Sequence, residues 1–227
     1  MKLSNKILLG FFGFIFLYLT AVFAELRLTG IPNIMDDKNS IAETADISGI
    51  TYLVLSDCNK EVKVIGSDQP RLEVRSFSGA LLNKLKYGIS GDTLTLSGFQ
   101  SDISGTVGIS VFVPRTGLKG ITVKSTSGTI EGLQQESLQL SQNSGRIWME
   151  DNKISNIQTD LSNGSTLSIS KTPLDTLSAR IDGSRLHVLA PVGLVQGTIE
   201  NNSRLQLSEL QEIQVKKDKN SHLFMYQ

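Results

Sequence analysis

Beyond residue 50, hydrophobic and polar positions alternate along most of the chain, and turns of small polar residues cut the alternation at short intervals. In the C-terminal half the cuts become regular. The turns read Thr126-Ser-Gly, Asn143-Ser-Gly, Asn163-Gly-Ser, Asp182-Gly-Ser, Asn201-Asn-Ser and Lys219-Asn-Ser, and the first aliphatic residues after them are Ile130, Ile147, Leu167, Leu186, Leu205 and Leu223. The step from one to the next is 17 to 20 residues. A period of that length with strand-type alternation predicts a β-solenoid, in which each repeat is one rung that buries its apolar face only by stacking on its neighbours. Each rung also carries an earlier strand. Leu118-x-x-Ile121-x-Val123, Ile154-x-x-Ile157-x-Thr159, Leu174-x-x-Leu177-x-Ala179, Val192-x-x-Val195-x-Gly197 and Leu210-x-x-Ile213-x-Val215 share one form, and Leu138-x-Leu140 is a shorter member. Two strands and two bends account for the period, and six rungs at a spacing of about 4.8 Å give a rod roughly 25 to 30 Å long.

From Ile50 to Pro114 the pattern is less regular. Thr51-Tyr-Leu-Val-Leu55 and Glu61-Val-Lys-Val-Ile65 flank a polar turn and predict an antiparallel hairpin. Leu72-Glu-Val-Arg-Ser76 continues the alternation, Leu85 to Ile89 and Thr93-Leu-Thr-Leu96 predict a second hairpin, and Val107 to Val113 is a strand closed by Pro114. This block is expected to cap the solenoid, because an uncovered first rung would present an open core end and unpaired backbone groups.

Ile7 to Ala24 runs for 18 residues without a charge, after Lys2 and Lys6 and before Glu25 and Arg27. As a helix it would cover about 27 Å, just enough to span a hydrocarbon core of about 30 Å. The lysines favour a cytoplasmic N-terminus and an exported remainder. The expected location is the inner membrane, single-pass, with the lipid bilayer as partner through Ile7 to Ala24 and the C-terminal domain in the periplasm. The alternative is a signal peptide cleaved after Val22-Phe-Ala24, leaving a periplasmic or secreted protein. Residues 25–46 have few apolar positions and read as a tether. The division is then 1–24 helix, 25–46 tether, 47–116 hairpin-rich cap and 117–227 rungs.

The order of membrane anchor, tether, Ile50-Thr-Tyr-Leu-Val-Leu55 followed by Val62-x-Val64-x-Gly66, Gly91-Asp-Thr-Leu-Thr-Leu96, Val111-x-Val113-Pro and serial Ser-Gly or Gly-Ser rungs resembles the GIN domain. That family is described as an autotransporter-adhesin head domain of the bacterial envelope and has no established function or site. The resemblance covers about Ile47 to Gln227. The expected fold is therefore all-β, a right-handed parallel β-solenoid (β-helix) with an irregular antiparallel hairpin-rich N-terminal cap, preceded by one transmembrane helix.

Charge adds little: Lys plus Arg equals Asp plus Glu at 22 each, so no net field draws nucleic acid. The lone Cys58 has no disulfide partner in the chain and reads as a small turn residue. Candidate chemistry comes from stacking, which turns equivalent positions into surface columns. Before the inward aliphatic residue lie Thr129, Arg146, Thr166, Arg185, Arg204 and His222; after it lie Glu131, Trp148, Ser168, His187, Gln206 and Phe224. Arg146, Arg185 and Arg204 with Trp148 form a candidate ligand-binding face, the guanidinium groups suited to a carboxylated sugar and the ring to a pyranose face. Alternatively the Arg stems only cover a strand face, with their charges solvated. Asn143, Asn163, Asn201, Asn202 and Asn220 read as turn-forming residues rather than ligands.

Carboxylates recur at no single repeat position, and no H-x-x-H, C-x-x-C or G-x-S-x-G spacing occurs, so no metal, cofactor or catalytic residue is expected. The expected function is non-catalytic: a structural, adhesion or protein-interaction module, with an envelope protein or acidic polysaccharide as partner. The alternative is a polysaccharide-acting lyase or hydrolase using the Arg and aromatic face.

Overall fold

Residues 3–29, 39–100, 103 and 105–225 are described in a computed structural model. The N-terminal helix and the region from Ser40 onward are separate units. Helix α1 (Leu3–Thr29) runs past Ala24, five residues further than the apolar run that suggested it. Phe11, Phe12, Phe14, Phe16, Leu17, Tyr18 and Phe23 are all exposed, and their spacing puts apolar surface on every side of the helix rather than in one stripe. Among the described residues, no helix is long and apolar enough to cross a membrane.

Everything else regular is strand: β1 (Ile41–Asp46), β2 (Tyr52–Ser56), β3 (Val62–Ser67), β4 (Arg71–Ser76), β5 (Leu85–Ser90), β6 (Thr93–Phe99), β7 (Val107–Pro114), β8 (Gly120–Lys124), β9 (Gly128–Glu131), β10 (Gln134–Asn143), β11 (Arg146–Glu150), β12 (Lys153–Ser162), β13 (Thr166–Ser170), β14 (Leu174–Asp182), β15 (Arg185–Glu200), β16 (Arg204–Lys217) and β17 (His222–Met225), with one short 3-10 turn before β5. They make the β-solenoid that the period predicts. One parallel ladder runs β6, β2, β8, β10, β12, β14, then the second parts of β15 and β16. The other runs β7, β3, β9, β11, β13, the first parts of β15 and β16, then β17.

The expected first hairpin is not one. β2 and β3 do not pair with each other; β2 lies between β6 and β8, and β3 between β7 and β9, all parallel. The chain crosses between the ladders at the bend after Ser56, where Asp57 has φ 52° and the buried Cys58 donates its backbone N–H to Thr126 Oγ1 at 3.1 Å. Period-2 alternation is the same in a hairpin and in two strands of one rung, so the pattern alone could not separate them. Among the described residues, antiparallel pairing is confined to the outermost strands: β5 on β6, β4 on β7 and β1 on β4. The parallel ladders therefore pass through the expected cap–rung boundary at 116/117 without a break. They also enclose a rung made late in sequence, β6 with β7, beyond the rung made first, β2 with β3.

The expected tether is shorter than 25–46, because α1 takes its start and β1 its end; residues 30–38 lie outside the described residues. Ile-Ala-Glu-Thr-Ala-Asp makes a poor strand by itself. It is ordered as an edge on β4, whose Leu72 and Val74 are buried.

Inward columns fill the space between the ladders. On one side Leu138, Ile157, Leu177, Val195 and Ile213 stack, with Ile121, Leu140, Thr159, Ala179, Gly197 and Val215 beside them. On the other, Ile147, Leu167, Leu186, Leu205 and Leu223 stack beside Ile130, Met149, Ile169, Val188, Leu207 and Met225. Each buried aliphatic side chain contributes about 1.5 to 3 kcal/mol, and serial repetition holds so thin a body together. Gly197 is demanded by closeness: at φ 136° a Cβ there would sit 1.8 Å from the Ala179 carbonyl oxygen.

At one bend, buried Ser165, Ser184, Ser203 and Ser221 turn inward; Ser203 Oγ accepts from the Ser184 N–H at 3.1 Å and donates to Ile181 O at 3.1 Å. At the other, buried Asn152 accepts the Leu133 N–H at 3.0 Å and donates to Ile130 O at 3.0 Å. These side chains satisfy backbone groups that the bends would otherwise strand away from water.

Candidate functional site

The β11–β13–β15–β16–β17 face carries the candidate residues, and the ladder register settles their alignment. Arg146, Thr166, Arg185, Arg204 and His222 form one column, and Trp148, Ser168, His187, Gln206 and Phe224 the next. All four sequence-derived candidates thus stand on one outward surface. The first rung is displaced, however: Thr129 stacks on Trp148 and Glu131 on Glu150, so Ile130 is the partner of Met149 and Gly128 that of Ile147. A like shift puts Ile121 opposite Leu140 rather than in the Ile157 column. A two-residue slip preserves the inward–outward alternation and is invisible to it.

Arg146, Arg185 and Arg204 are exposed, and Trp148 and Phe224 are exposed by 37% and 38%. The Arg146 guanidinium carbon lies 5.6 Å from the Trp148 ring centre, and that of Arg204 5.3 Å from Phe224. His222 stacks on Phe224 with centroids 6.0 Å apart. Sequence alternation placed Arg146 and Trp148 on one outward face, two apart on one strand, without specifying that they touch. The second contact is a diagonal across strands, set by the register of β16 on β17. Arg185 and Arg204 are direct neighbours, with Thr166 separating Arg185 from Arg146.

None of the ion pairs among the described residues involves these arginines. Those pairs are Lys63–Glu131, Arg71–Glu73, Arg75–Glu73, Arg115–Asp68 and Lys171–Asp151. The column therefore presents concentrated positive charge on a chain of zero net charge. His187 reports that field: burial, then the Arg185 and Arg204 charges, hold its pKa below the ordinary histidine value.

The face is a surface rather than a pocket. A wide groove of about 600 Å³ lies elsewhere, along a bend lined by Lys153, Ile154, Leu174, Asp175, Pro191 and Glu209 among others. Among the described residues no group of three or more His, Cys, Asp and Glu is placed to hold a metal ion. Burial raises the Cys58 thiol pKa, and its Sγ lies 3.5 Å from the Leu96 carbonyl, a setting that disfavours the thiolate. The turn asparagines are occupied structurally. Asn163 and Asn201 have φ 56° and 58°, with side-chain amides donating to Asn143 Oδ1 at 3.1 Å and Asp182 Oδ1 at 2.6 Å.

Fold and face together define an all-β solenoid with an outward cationic and aromatic ladder. No family model matches the sequence, and no curated protein matches it. Among solved structures it is similar to a Bacteroides fragilis protein named a "putative adhesin", at 10% identity over 84% of this chain and 97% of that one, with TM-score 0.57. A Parabacteroides merdae protein of the same description matches at 9% identity over 84% and 98%, with TM-score 0.48. A Parabacteroides distasonis protein described as lipid-binding matches at 12% over 84% and 98%, with TM-score 0.44. At these identities the first likeness carries the fold alone, and the other two add no argument.

Proposed function

We propose that this chain is a non-catalytic adhesion or interaction module of the bacterial envelope, held at the inner membrane by α1 and binding an acidic polysaccharide along its Arg column. The resemblance to the GIN domain belongs to the same reading. The observation that carries it is the run of Arg146, Arg185 and Arg204 on one flat face, without carboxylate partners among the described ion pairs and with Trp148 and Phe224 beside it. A flat ladder suits an extended polymer, because successive rungs repeat their contacts at a fixed step of about 4.8 Å. An exposed ion pair contributes about 0 to 1 kcal/mol, so useful affinity needs several rungs together and weakens steeply with salt. The α1 part rests on a helix apolar on all sides, since such a helix needs an apolar environment.

The test is a screen of uronic-acid polysaccharides against wild type and the R185A/R204A double variant, with product analysis in parallel. Binding by wild type that is lost in the variant and falls with added salt is the expected result. Equal binding by both removes the column as the site. Unsaturated or new reducing-end products from wild type would replace the binding reading with a lyase or hydrolase.

A further inference from the structure

Among the described residues, both ladders stop at their C-terminal end on an edge paired along one side only. Residues 209–217 pair with β15, and β17 pairs with β16. Side chains sealed one rung earlier lie half open here. Val192 and Val195 are 3% and 0% exposed, whereas their ladder partners Leu210 and Ile213 are only partly buried, as are Val215 and Leu223. The other end of the stack is finished differently, by the antiparallel strands β5, β4 and β1.

The open edge reads Glu209-Leu-Gln-Glu-Ile-Gln-Val-Lys-Lys217, with Asp218 and Lys219 just beyond, and within residues 209–217 the acids lie in the first half and the bases in the second. The four charged residues within 209–217 are all exposed. Lysines on an edge strand are a common guard against unwanted pairing. The order of charges distinguishes this edge, because it is self-complementary when reversed. Another copy of the edge added in the parallel, in-register sense would set Glu on Glu and Lys on Lys. Adding it antiparallel sets Glu on Lys.

We propose that this edge pairs antiparallel with the same edge of a second copy about a two-fold axis at Gln214, giving a tail-to-tail dimer with one continuous sheet across the junction. In that register Glu212 lies opposite Lys216 of the partner subunit, Ile213 opposite Val215 of the partner subunit, and Gln214 opposite its own symmetry mate. The two-fold axis makes each unlike pair occur twice. Ile213 and Val215 continue the inward columns of Val195 and Gly197, so their meeting extends the apolar core across the junction. Glu212 and Gln214 share the outward side, as their hydrogen bond of 2.7 Å requires, and meet outward residues.

Outside those central pairs the same register sets Gln211 opposite Lys217 and Leu210 opposite Asp218 of the partner subunit; neighbouring registers lose the central match itself. Centring on Ile213 puts Glu212 opposite Gln214 and Leu210 opposite Lys216; centring on Val215 puts Glu212 opposite Asp218 and Ile213 opposite Lys217. Lys217 continues the inward column of Ile199, where a further parallel rung would need an aliphatic residue. Its Nζ reaches instead to the Asp218 and Ser221 carbonyls at 3.4 and 3.3 Å, at the bend.

The full chain in detergent micelles is measured by light scattering and sedimentation. Wild type is expected to be a dimer. E212K sets like charges opposite each other twice and should raise the dissociation constant about tenfold or more; the E212K/K216E swap restores the pairing and the affinity. Q214C places two thiols on Cα atoms about 4.5 to 5.5 Å apart, within disulfide reach, and should cross-link under mild oxidation. Q211C puts them about 20 Å apart and should not. The chain's own thiol, Cys58, is buried. A monomer, a dimer whose affinity E212K leaves unchanged (including one made through α1), or equal cross-linking by Q211C and Q214C overturns the proposal.

Discussion

His187 is where position, charge and solvation meet most visibly. It stands in the aromatic column beside Arg185 and diagonal to Arg204, and burial and those two charges depress its pKa below 6.5. Well above that pH it is neutral in both the folded and unfolded chain and contributes no pH dependence. As pH falls through 6.5 the unfolded chain takes up the proton first, so stability declines, then levels off once pH is well below the folded-state value. H187Q is expected to flatten that acid limb in urea-unfolding midpoints measured from pH 7.5 down to 5. An unchanged slope would mean that His187 does not carry it. The same residue scale explains the bends. The serine or threonine of five of the six turns looks like punctuation in sequence, yet Thr126, Ser165, Ser184, Ser203 and Ser221 are buried and pair with backbone groups.

Among the elements, α1 stands apart because its apolar residues are not confined to one face. A helix of 27 residues is about 40 Å long, and exposed Phe11, Phe12, Phe14 and Phe16 would order water at considerable free-energy cost. Membrane fractionation is expected to place the full chain in the inner-membrane pellet, resistant to high salt and released by detergent. N-terminal sequencing of that material should read from the start of the chain. A soluble periplasmic product beginning at Glu25 would establish cleavage instead. The strands follow a different rule. No single strand buries both of its edges and its face by itself, and β11 or β13 exists only between its neighbours on the ladder.

For the whole molecule, stacking makes stability cooperative along the rod. Leu186 is fully buried in the middle of its column, with Leu167 and Leu205 above and below it. L186D leaves an unpaired buried charge, which costs about 3 to 5 kcal/mol. That is a large share of a typical domain's stability of about 5 to 15 kcal/mol, and the adjacent rungs lose their packing surface with it. Circular dichroism is expected to show loss of most β signal in L186D. L189D, at a residue 55% exposed, should remain folded. Wild-type stability in L186D would overturn the inward assignment of the whole column.

The period of small polar turns and the aliphatic-x-aliphatic pattern were enough, from sequence, to specify stacked rungs and the inward faces of Ile147, Leu167, Leu186 and Leu205. The physical reason is that side-chain direction alternates with period two, and a rung so short has no core without its neighbours. They also sufficed to place Arg146, Arg185 and Arg204 in one column, since equivalent positions in rungs of similar length must stack. Tertiary structure alone decided the remainder. Alternation is blind to strand direction, which is why Thr51-Tyr-Leu-Val-Leu55 and Glu61-Val-Lys-Val-Ile65 read as a hairpin but form β2 and β3, the two sides of one rung. It is blind to slips of two, which moved Thr129 onto Trp148 and Ile121 onto Leu140. Nor does it record order in space, so the return of β6 and β7 to cover β2 and β3 had no local signal. That order depends on which backbone edges remain to be paired when the chain arrives, a property of the assembled sheet rather than of any segment.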